Sequence, residues 1–215
     1  MRFLAVPMLL LLLPAARPAI ACGVGDPLTG VPDLNQSIVT WDFGGSGPAT
    51  LLVMPDGSGP PLTAARLPGG ALVDATIHLR LIDGCGDPIA NFPRDDMWLE
   101  PLNGGLVACV GGTTVDQNTD VDGRTHWAQP LRAGGHSQTV TYVVVNGAAL
   151  AVPGVPLHFV SPDLNGDRVV SLADVAQFAA AYFGAYAFAA DLRHDGVVNL
   201  SDVSILAGSA GAHCP

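Results

Sequence analysis

Hydrophobic and polar residues alternate with a period of two through much of the first three quarters of the chain. In Thr76–Leu81, Ile77 and Leu79 fall on one face and polar side chains on the other. Thr139–Val145 has the β-branched and aromatic content of a partly buried strand. Turn signals at short intervals separate such runs, which predicts an antiparallel β-sandwich or barrel. They are Gly44-Gly45, Asp56-Gly57, Gly69-Gly70, Asp83-Gly84, Gly104-Gly105, Asp122-Gly123, Gly134-Gly135 and Asn146-Gly147.

The period changes to a helical one after Ser161-Pro162, and Pro153, Pro156 and Pro162 crowd the boundary. A first helix is expected to align Leu172, Val175, Ala176, Ala179 and Phe183 on one face, with Gly184 as its stop. A second, shorter stripe comprises Val203, Leu206, Ala207 and Ala210 before Gly211. The predicted organisation is a leader over 1–21, a β domain over 22–160 and a small helical module over 161–215.

The first 21 residues have the pattern of a secretory signal peptide. Arg2 precedes an apolar run, Phe3–Leu13, which is too short to span a bilayer, and Ala19-Ile20-Ala21 is a small-x-small cleavage signal. We therefore expect a secreted or cell-surface protein with no membrane span. Lipidation of Cys22 is the alternative to plain secretion.

Composition narrows the function classes. The net charge is −10, every basic residue is Arg, and 18 of the 19 acidic residues are Asp, the exception being Glu100. Such a chain has no means of neutralising a run of phosphates, so a nucleic-acid partner is excluded. Four cysteines in an exported chain allow two disulfides in three connectivities, of which a Cys85–Cys109 pair is favoured because both lie in the β region.

Two 12-residue segments near the C-terminus carry oxygen-bearing side chains in the same register. We call residues 163–174 loop one and residues 191–202 loop two. Calcium takes 6–8 oxygen ligands, and such a loop supplies them from positions 1, 3, 5, 7, 9 and 12, with a backbone carbonyl at position 7. The candidate Ca²⁺ ligands are Asp163, Asn165, Asp167, Val169, Ser171 and Asp174 in loop one, and Asp191, Asp195, Val197, Asn199 and Asp202 in loop two.

Two departures weaken the calcium pattern. Arg168 stands at position 6, where a positive φ is required and a side chain with a Cβ costs about 1–2 kcal/mol. Arg193 stands at position 3 of loop two, and a guanidinium has no lone pair to offer a cation. Loop two is therefore predicted to bind calcium more weakly. Plain Asp-rich turns without metal are the alternative for both loops.

The two regions resemble two known families. The segments 83–93 and 118–127 resemble turns of the bacterial Ig-like domains of invasin and intimin, over about residues 70–147. The resemblance implies an Ig-like β-sandwich that acts as a spacer or adhesive module. The tandem loop-then-helix units over about 162–214, with Asp at position 12, resemble the type I dockerin module. That resemblance implies a calcium-folded, EF-hand-like module that docks onto a cohesin-like protein, often in polysaccharide-degrading assemblies.

Candidate catalytic groups lack a supporting pattern. Glu100 lies near Asp95 and Asp96, but that acidic pair reads as a solvated loop corner. The histidines show no zinc-hydrolase spacing, and no G-x-S-x-G or Walker motif occurs. We expect a non-enzymatic binding protein tethered by its calcium-dependent tail. The alternatives are a structural protein in which calcium only folds the tail, and an accessory of polysaccharide degradation, for which glycan binding has no residue-level support.

Overall fold

The computed structural model describes residues 22, 25–45, 47–150 and 154–215. The predicted leader over 1–21 and Pro153 lie outside these residues. The chain is mainly β, as expected, with two α-helices near the C-terminus. The strands are β1 Ile38–Trp41, β2 Ala49–Leu52, β3 Ala65–Arg66, β4 Leu72–Val73, β5 Ile77–Arg80, β6 Met97–Pro101, β7 Leu106–Ala108, β8 Arg124–Trp127, β9 Ala133–Gly135, β10 Thr141–Val145, β11 Ala148–Ala149 and β12 Leu157–Val160. The helices are α1 Leu172–Tyr182 and α2 Leu200–Gly208.

Within the described residues these strands form four small sheets. Their orders are β1-β5-β8, β11-β10-β6, β12-β2-β3-β4 and β7-β9. The pairs are antiparallel except β12 and β2, which run parallel. The strand β12 lies at the edge of its sheet and leads directly into the C-terminal segment.

The alternation that predicted strands is confirmed where it was strongest. In β5 the side chains of Ile77 and Leu79 are buried, whereas His78 and Arg80 point outward. In β10, Thr141 and Val143–Val145 are buried. The main core takes apolar residues from all four sheets, and Trp127 and Phe159 are its largest fully buried side chains. Burying such side chains is the main stabilising contribution to the fold.

The Gly134-Gly135 turn prediction is wrong. Both residues belong to β9, which pairs with β7, and both are buried. The pair lacks side chains because neighbouring groups occupy that space, since a Cβ on Gly134 would overlap the carboxylate of Asp163. The glycines here permit close packing, not chain reversal.

The favoured Cys85–Cys109 disulfide is also wrong. Cys22 pairs with Cys85, and Cys109 pairs with Cys214. The second disulfide joins Cys109, which directly follows β7, to Cys214 near the C-terminus, 105 residues later in the sequence. Sequence proximity within the β region was a poor guide because the C-terminal segment folds back onto that region.

The C-terminal segment builds a second, smaller core against the sheet. Val160 of β12 belongs to this core together with Leu164, Phe178, Phe188, Leu192 and Leu206, and Leu52 of β2 packs against it. The two cores therefore meet at β12 and β2. The domain boundary near Ser161 stays a prediction; β12 ends at Val160, the residue before it.

The predicted faces of both helices need correction. In α1 the buried positions are Asp174 and Phe178, while Leu172 and Phe183 are 84% and 85% exposed. In α2, Asp202 and Leu206 are buried, and Ala207 and Ala210 are exposed. Ala and Val occur on more than one side of α1, so the hydrophobic period alone did not identify the side that is buried. Phe178 lies on the buried side, and the ring of Tyr182 packs on it.

Candidate metal centre

Loop one brings three carboxylates to one point. Ligand oxygens of Asp163, Asp167 and Asp174 all lie within 4.8 Å of one another. Asp163 and Asp174 are fully buried, whereas Asp167 is exposed. Among the described residues, no arginine or histidine forms an ion pair with any of the three. The three negative charges thus converge without a cationic side chain to offset them.

Backbone N–H groups hold these carboxylates in place. The Oδ1 atom of Asp163 accepts from Gly166 at 2.9 Å and from Asp167 at 3.1 Å, and its Oδ2 accepts from Arg168 at 2.7 Å. Asp174 accepts from Asn165 N at 3.2 Å and from Ser171 N at 2.8 Å. Asp163 Oδ2 and Asp174 Oδ1 each accept one of these bonds and keep a lone pair for another partner.

Asn165 and Ser171, two further predicted ligands of loop one, form hydrogen bonds within the loop and with the start of α1. Asn165 Oδ1 accepts from Asp167 N at 2.8 Å, and its Nδ2 donates to Asp167 Oδ2 at 2.8 Å. Ser171 is the N-cap of α1 and accepts from Ala173 N at 3.2 Å. Val169 is exposed, and its backbone carbonyl is the predicted ligand at position 7. The donor set consists of hard oxygen atoms, which suit Ca²⁺.

Burial raises the pKa of Asp163. The Arg168 N–H bond opposes this shift, and the neighbouring charges of Asp174 and Asp167 add to it. A carboxylate in this position gains from a cation that replaces the lost solvation.

Loop two repeats four of the five bonds that positions 1 and 12 of loop one accept from backbone N–H groups. Asp191 Oδ1 accepts from Asp195 N at 3.1 Å, and its Oδ2 accepts from Gly196 N at 2.8 Å. Asp202 accepts from Arg193 N and Asn199 N, both at 2.9 Å. These bonds match those made by positions 1 and 12 of loop one. The repeat that the acid register predicted is therefore also a repeat of structure.

Backbone dihedrals follow the same repeat. Position 4 is Gly166 in loop one and His194 in loop two, with φ of 71° and 54°. Position 6 is Arg168 in loop one and Gly196 in loop two, with φ of 73° and 88°. The positive φ expected at Arg168 is thus present. Each loop carries one non-glycine residue in the left-handed region, which costs about 1–2 kcal/mol.

Loop two differs from loop one in what surrounds its carboxylates. Its three aspartates do not share the 4.8 Å grouping that marks loop one. The Tyr186 hydroxyl donates to Asp191 Oδ2 at 3.0 Å, and the Arg193 guanidinium lies 4.0 Å from Asp195 Oδ2. Burial of the hydroxyl and its bond to Asp191 raise the pKa of Tyr186 to about 12. The Tyr186 hydroxyl and the Arg193 guanidinium thereby offset part of the negative charge of loop two.

Two residues of this region were not identified from sequence. Tyr186 lies outside the 12-residue register, and no motif marks a hydroxyl that reaches position 1 of the following loop. Gly134 comes from β9, far away in sequence, and packs on Asp163. A second cluster of potential ligands, formed by Cys22, Asp26 and Cys85, is not a metal site because its cysteines are joined in a disulfide.

Comparisons with known proteins leave the family open. No protein-family model matches the sequence, and no curated protein matches it. Among solved structures, a match is found to the Lin-41 filamin domain, at 14% identity and a TM-score of 0.30, over 60% of this chain and 95% of that chain. A TM-score this low carries no argument about fold or function. Among the residues that the structure describes, no helix has the length and apolarity needed to cross a membrane.

Proposed function

We propose that this chain is an exported, non-catalytic protein whose C-terminal segment binds Ca²⁺ through loop one. The observation that carries the proposal is the convergence of Asp163, Asp167 and Asp174 within 4.8 Å, with two of the three fully buried and, among the described residues, none in an ion pair. Buried charges are normally paired or bound to metal. Asp163, Asn165, Asp167, the Val169 carbonyl, Ser171 and Asp174 would hold the ion.

Loop two is the weaker site in this proposal. Asp191, Asp195, the Val197 carbonyl, Asn199 and Asp202 would supply oxygens there. Position 3 offers no oxygen, and the Arg193 guanidinium repels a cation. The Tyr186 hydroxyl already engages one oxygen of Asp191.

Calcium at loop one stabilises the fold of the C-terminal segment. That segment has two short helices and a small core, so its own apolar burial is limited. Binding free energy for an ion held by the folded loop adds directly to folding free energy. A protein in which calcium has only this stabilising role is a structural protein, which is the second candidate function. The Cys109–Cys214 disulfide and the core shared through Val160 favour that second candidate, because they join the segment to the β region.

The first candidate adds a docking role. Leu172 and Leu200 occupy position 10 of the two loops and are 84% and 70% exposed. Val169 and Val197, both at position 7, are exposed as well. Exposed apolar side chains at equivalent positions of the two loops support attachment to a cohesin-like partner, with the Ig-like region displayed. The two disulfides are in keeping with an oxidising, extracellular compartment. No observation on specific residues favours a role in polysaccharide degradation.

The calcium proposal is tested on the mature chain, residues 22–215, by native mass spectrometry and thermal unfolding in Ca²⁺, Mg²⁺ and EGTA. We expect one tightly bound Ca²⁺ and a higher melting temperature in Ca²⁺ than in EGTA. A mass without bound ion and the same melting temperature in all three buffers would refute it.

Docking is tested separately with a purified cohesin domain and the double variant Leu172→Asp/Leu200→Asp. Binding by the parent chain in Ca²⁺, its loss in EGTA and its loss in the double variant support docking. Calcium binding without any calcium-dependent association leaves the structural role as the function.

A further inference from the structure

The outward face of the sheet β1-β5-β8 presents six side chains in two cross-strand rows. The pairing places Thr40, His78 and His126 in one row and Ile38, Arg80 and Arg124 in the next. The alternate residues of β5 and β8 point into the main core and are buried. This face is therefore open to solvent and backed by a rigid core.

Arg80 and Arg124 lie directly opposite each other on neighbouring strands. Both are exposed, and among the described residues neither side chain makes a hydrogen bond or an ion pair. Like charges directly opposite in a sheet destabilise it. The chain has only nine basic residues against 19 acidic ones, so opposing two unpartnered arginines is not a consequence of a basic composition.

The acidic groups nearby are engaged elsewhere. Asp42 accepts from His78 Nε2 at 3.1 Å with each of its oxygens, and Asp116 Oδ2 lies 3.7 Å from His126 Nε2. Asp120 Oδ1 accepts the backbone N–H groups of Asp122 and Arg124 at 2.9 and 2.8 Å. Among the described residues, none of these three carboxylates forms an ion pair with Arg80 or Arg124.

A depression of about 360 Å³ covers this face. Thr40, Gln117 and Asp120 line it together with the two histidines and the two arginines, and Ile38 gives it an apolar end. The volume falls within the range of roughly 300–1,000 Å³ that is typical of small-molecule sites. Guanidinium groups, a hydroxyl and an amide are hydrogen-bond donors of the kind that an oxyanion accepts.

We propose that the outward face of β1-β5-β8 binds a small ligand through an oxyanion group, such as a sulfate, phosphate or carboxylate, held between Arg80 and Arg124. Thr40 and Gln117 donate at the edge of the site, and Ile38 packs against the body of the ligand. The proposal is independent of calcium, because the site lies on other elements than loops one and two.

The test titrates sodium sulfate, sodium phosphate, glucuronate and neutral glucose into the mature chain at low ionic strength, with NMR shifts as the readout. We expect saturable shifts at Arg80 and Arg124 for the anions, and none for glucose. Comparing sulfate and phosphate with glucuronate distinguishes an inorganic oxyanion from an organic acid. Arg80→Gln and Arg124→Gln are each expected to weaken binding roughly ten-fold, as for a lost charge-assisted hydrogen bond. Arg132→Gln removes the same charge outside the depression and is expected to change nothing.

Stability provides a second readout. The double variant Arg80→Gln/Arg124→Gln should lose anion binding and unfold at the same or a higher temperature, since it removes an uncompensated repulsion. Linear, non-saturating shifts, equal weakening by Arg132→Gln, equal binding of glucose, or a lower melting temperature of the double variant would each overturn the proposal.

Discussion

The Cα of Gly134 in β9 lies against the Asp163 carboxylate, so closely that a Cβ would overlap its Oδ2 atom. The next residue, Gly135, donates its backbone N–H to the Asp163 carbonyl at 2.7 Å. The side chain and the backbone carbonyl of Asp163, the first residue of loop one, are therefore both in contact with β9. Loop one therefore packs on β9, and the position of the Asp163 carboxylate depends on this strand, which lies about 30 residues earlier in the sequence.

Gly134→Ala is expected to displace Asp163 and weaken calcium binding at loop one about ten-fold, or roughly 1.4 kcal/mol. Overpacking of this kind also costs about 1–3 kcal/mol of folding stability. Calorimetric titration with CaCl₂ measures the first effect and thermal unfolding the second. Gly208→Ala is the matched control, because a Cβ at Gly208 meets no atom within 4 Å. Unchanged calcium affinity in Gly134→Ala would show that β9 does not brace the loop.

Local patterns predicted the elements that local forces determine. The alternation in β5 and β10 identified two strands, and the repeated acid register identified two loops of the same conformation. The turn assigned to Gly134-Gly135 was wrong because its cause is a contact distant in sequence. The Cys109–Cys214 disulfide was missed for the same reason.

The helix faces show a different limit. The predicted stripe of α1 is apolar, whereas the face that the structure buries carries Asp174 beside Phe178, so the hydrophobic period alone cannot identify that face. The partners that decide are Phe188 and Val160, which come from a 3₁₀ turn over Phe188–Ala190 and from β12. Leu172 and Phe183 were expected in a core and are instead among the most exposed apolar side chains.

Substitutions in the two loops should have unequal effects. Asp163→Ala and Asp174→Ala are expected to weaken calcium binding more than Asp191→Ala, because only loop one gathers its carboxylates within 4.8 Å. Arg193→Asn should raise the affinity of loop two by supplying an oxygen and removing a repelling charge. Calorimetry that resolves the two sites measures all four variants. Equal losses in both loops would contradict the ranking.

Tyr186→Phe should act on loop two alone. The hydroxyl donates to Asp191 Oδ2 at 3.0 Å, so its removal frees that oxygen for a cation. We expect the calcium affinity of loop two to rise a few-fold and loop one to remain unchanged. In EGTA the variant should be less stable by about 1 kcal/mol, since Asp191 loses a hydrogen bond. A lower affinity at loop two would instead show that the hydroxyl assists the ion.

Acidification should weaken the contact between β12 and the C-terminal segment through His158. Burial lowers the pKa of His158 below 6.5, and the nearby His194 lowers it further. The unfolded chain therefore binds more protons than the folded chain as pH falls below 6.5, and stability is lost in that window. The His158 ring packs edge-on to Phe188, with centroids 6.0 Å apart.

The corresponding variant is His158→Gln. Between pH 7 and pH 5 its melting temperature should fall less than that of the parent chain. His213→Gln, an exposed position, is the control that removes one histidine elsewhere. Identical pH profiles for the parent chain and His158→Gln would contradict the assignment.

The two disulfides should differ in their effect on calcium. They close 63 and 105 residues of sequence, and a chain-entropy estimate gives each about 4–5 kcal/mol of stability. Only the second is adjacent to loop one, because Cys214 donates its N–H to the Arg168 carbonyl at 3.1 Å, and Gly211 and Ala212 pair with Val170. Replacing Cys109 and Cys214 by Ala should therefore lower both stability and the calcium affinity of loop one. The matched pair Cys22→Ala/Cys85→Ala should lower stability alone, measured by the same unfolding and calorimetric experiments. Equal calcium affinity in the two double variants would mean that loop one does not depend on the strand pairing of the C-terminus.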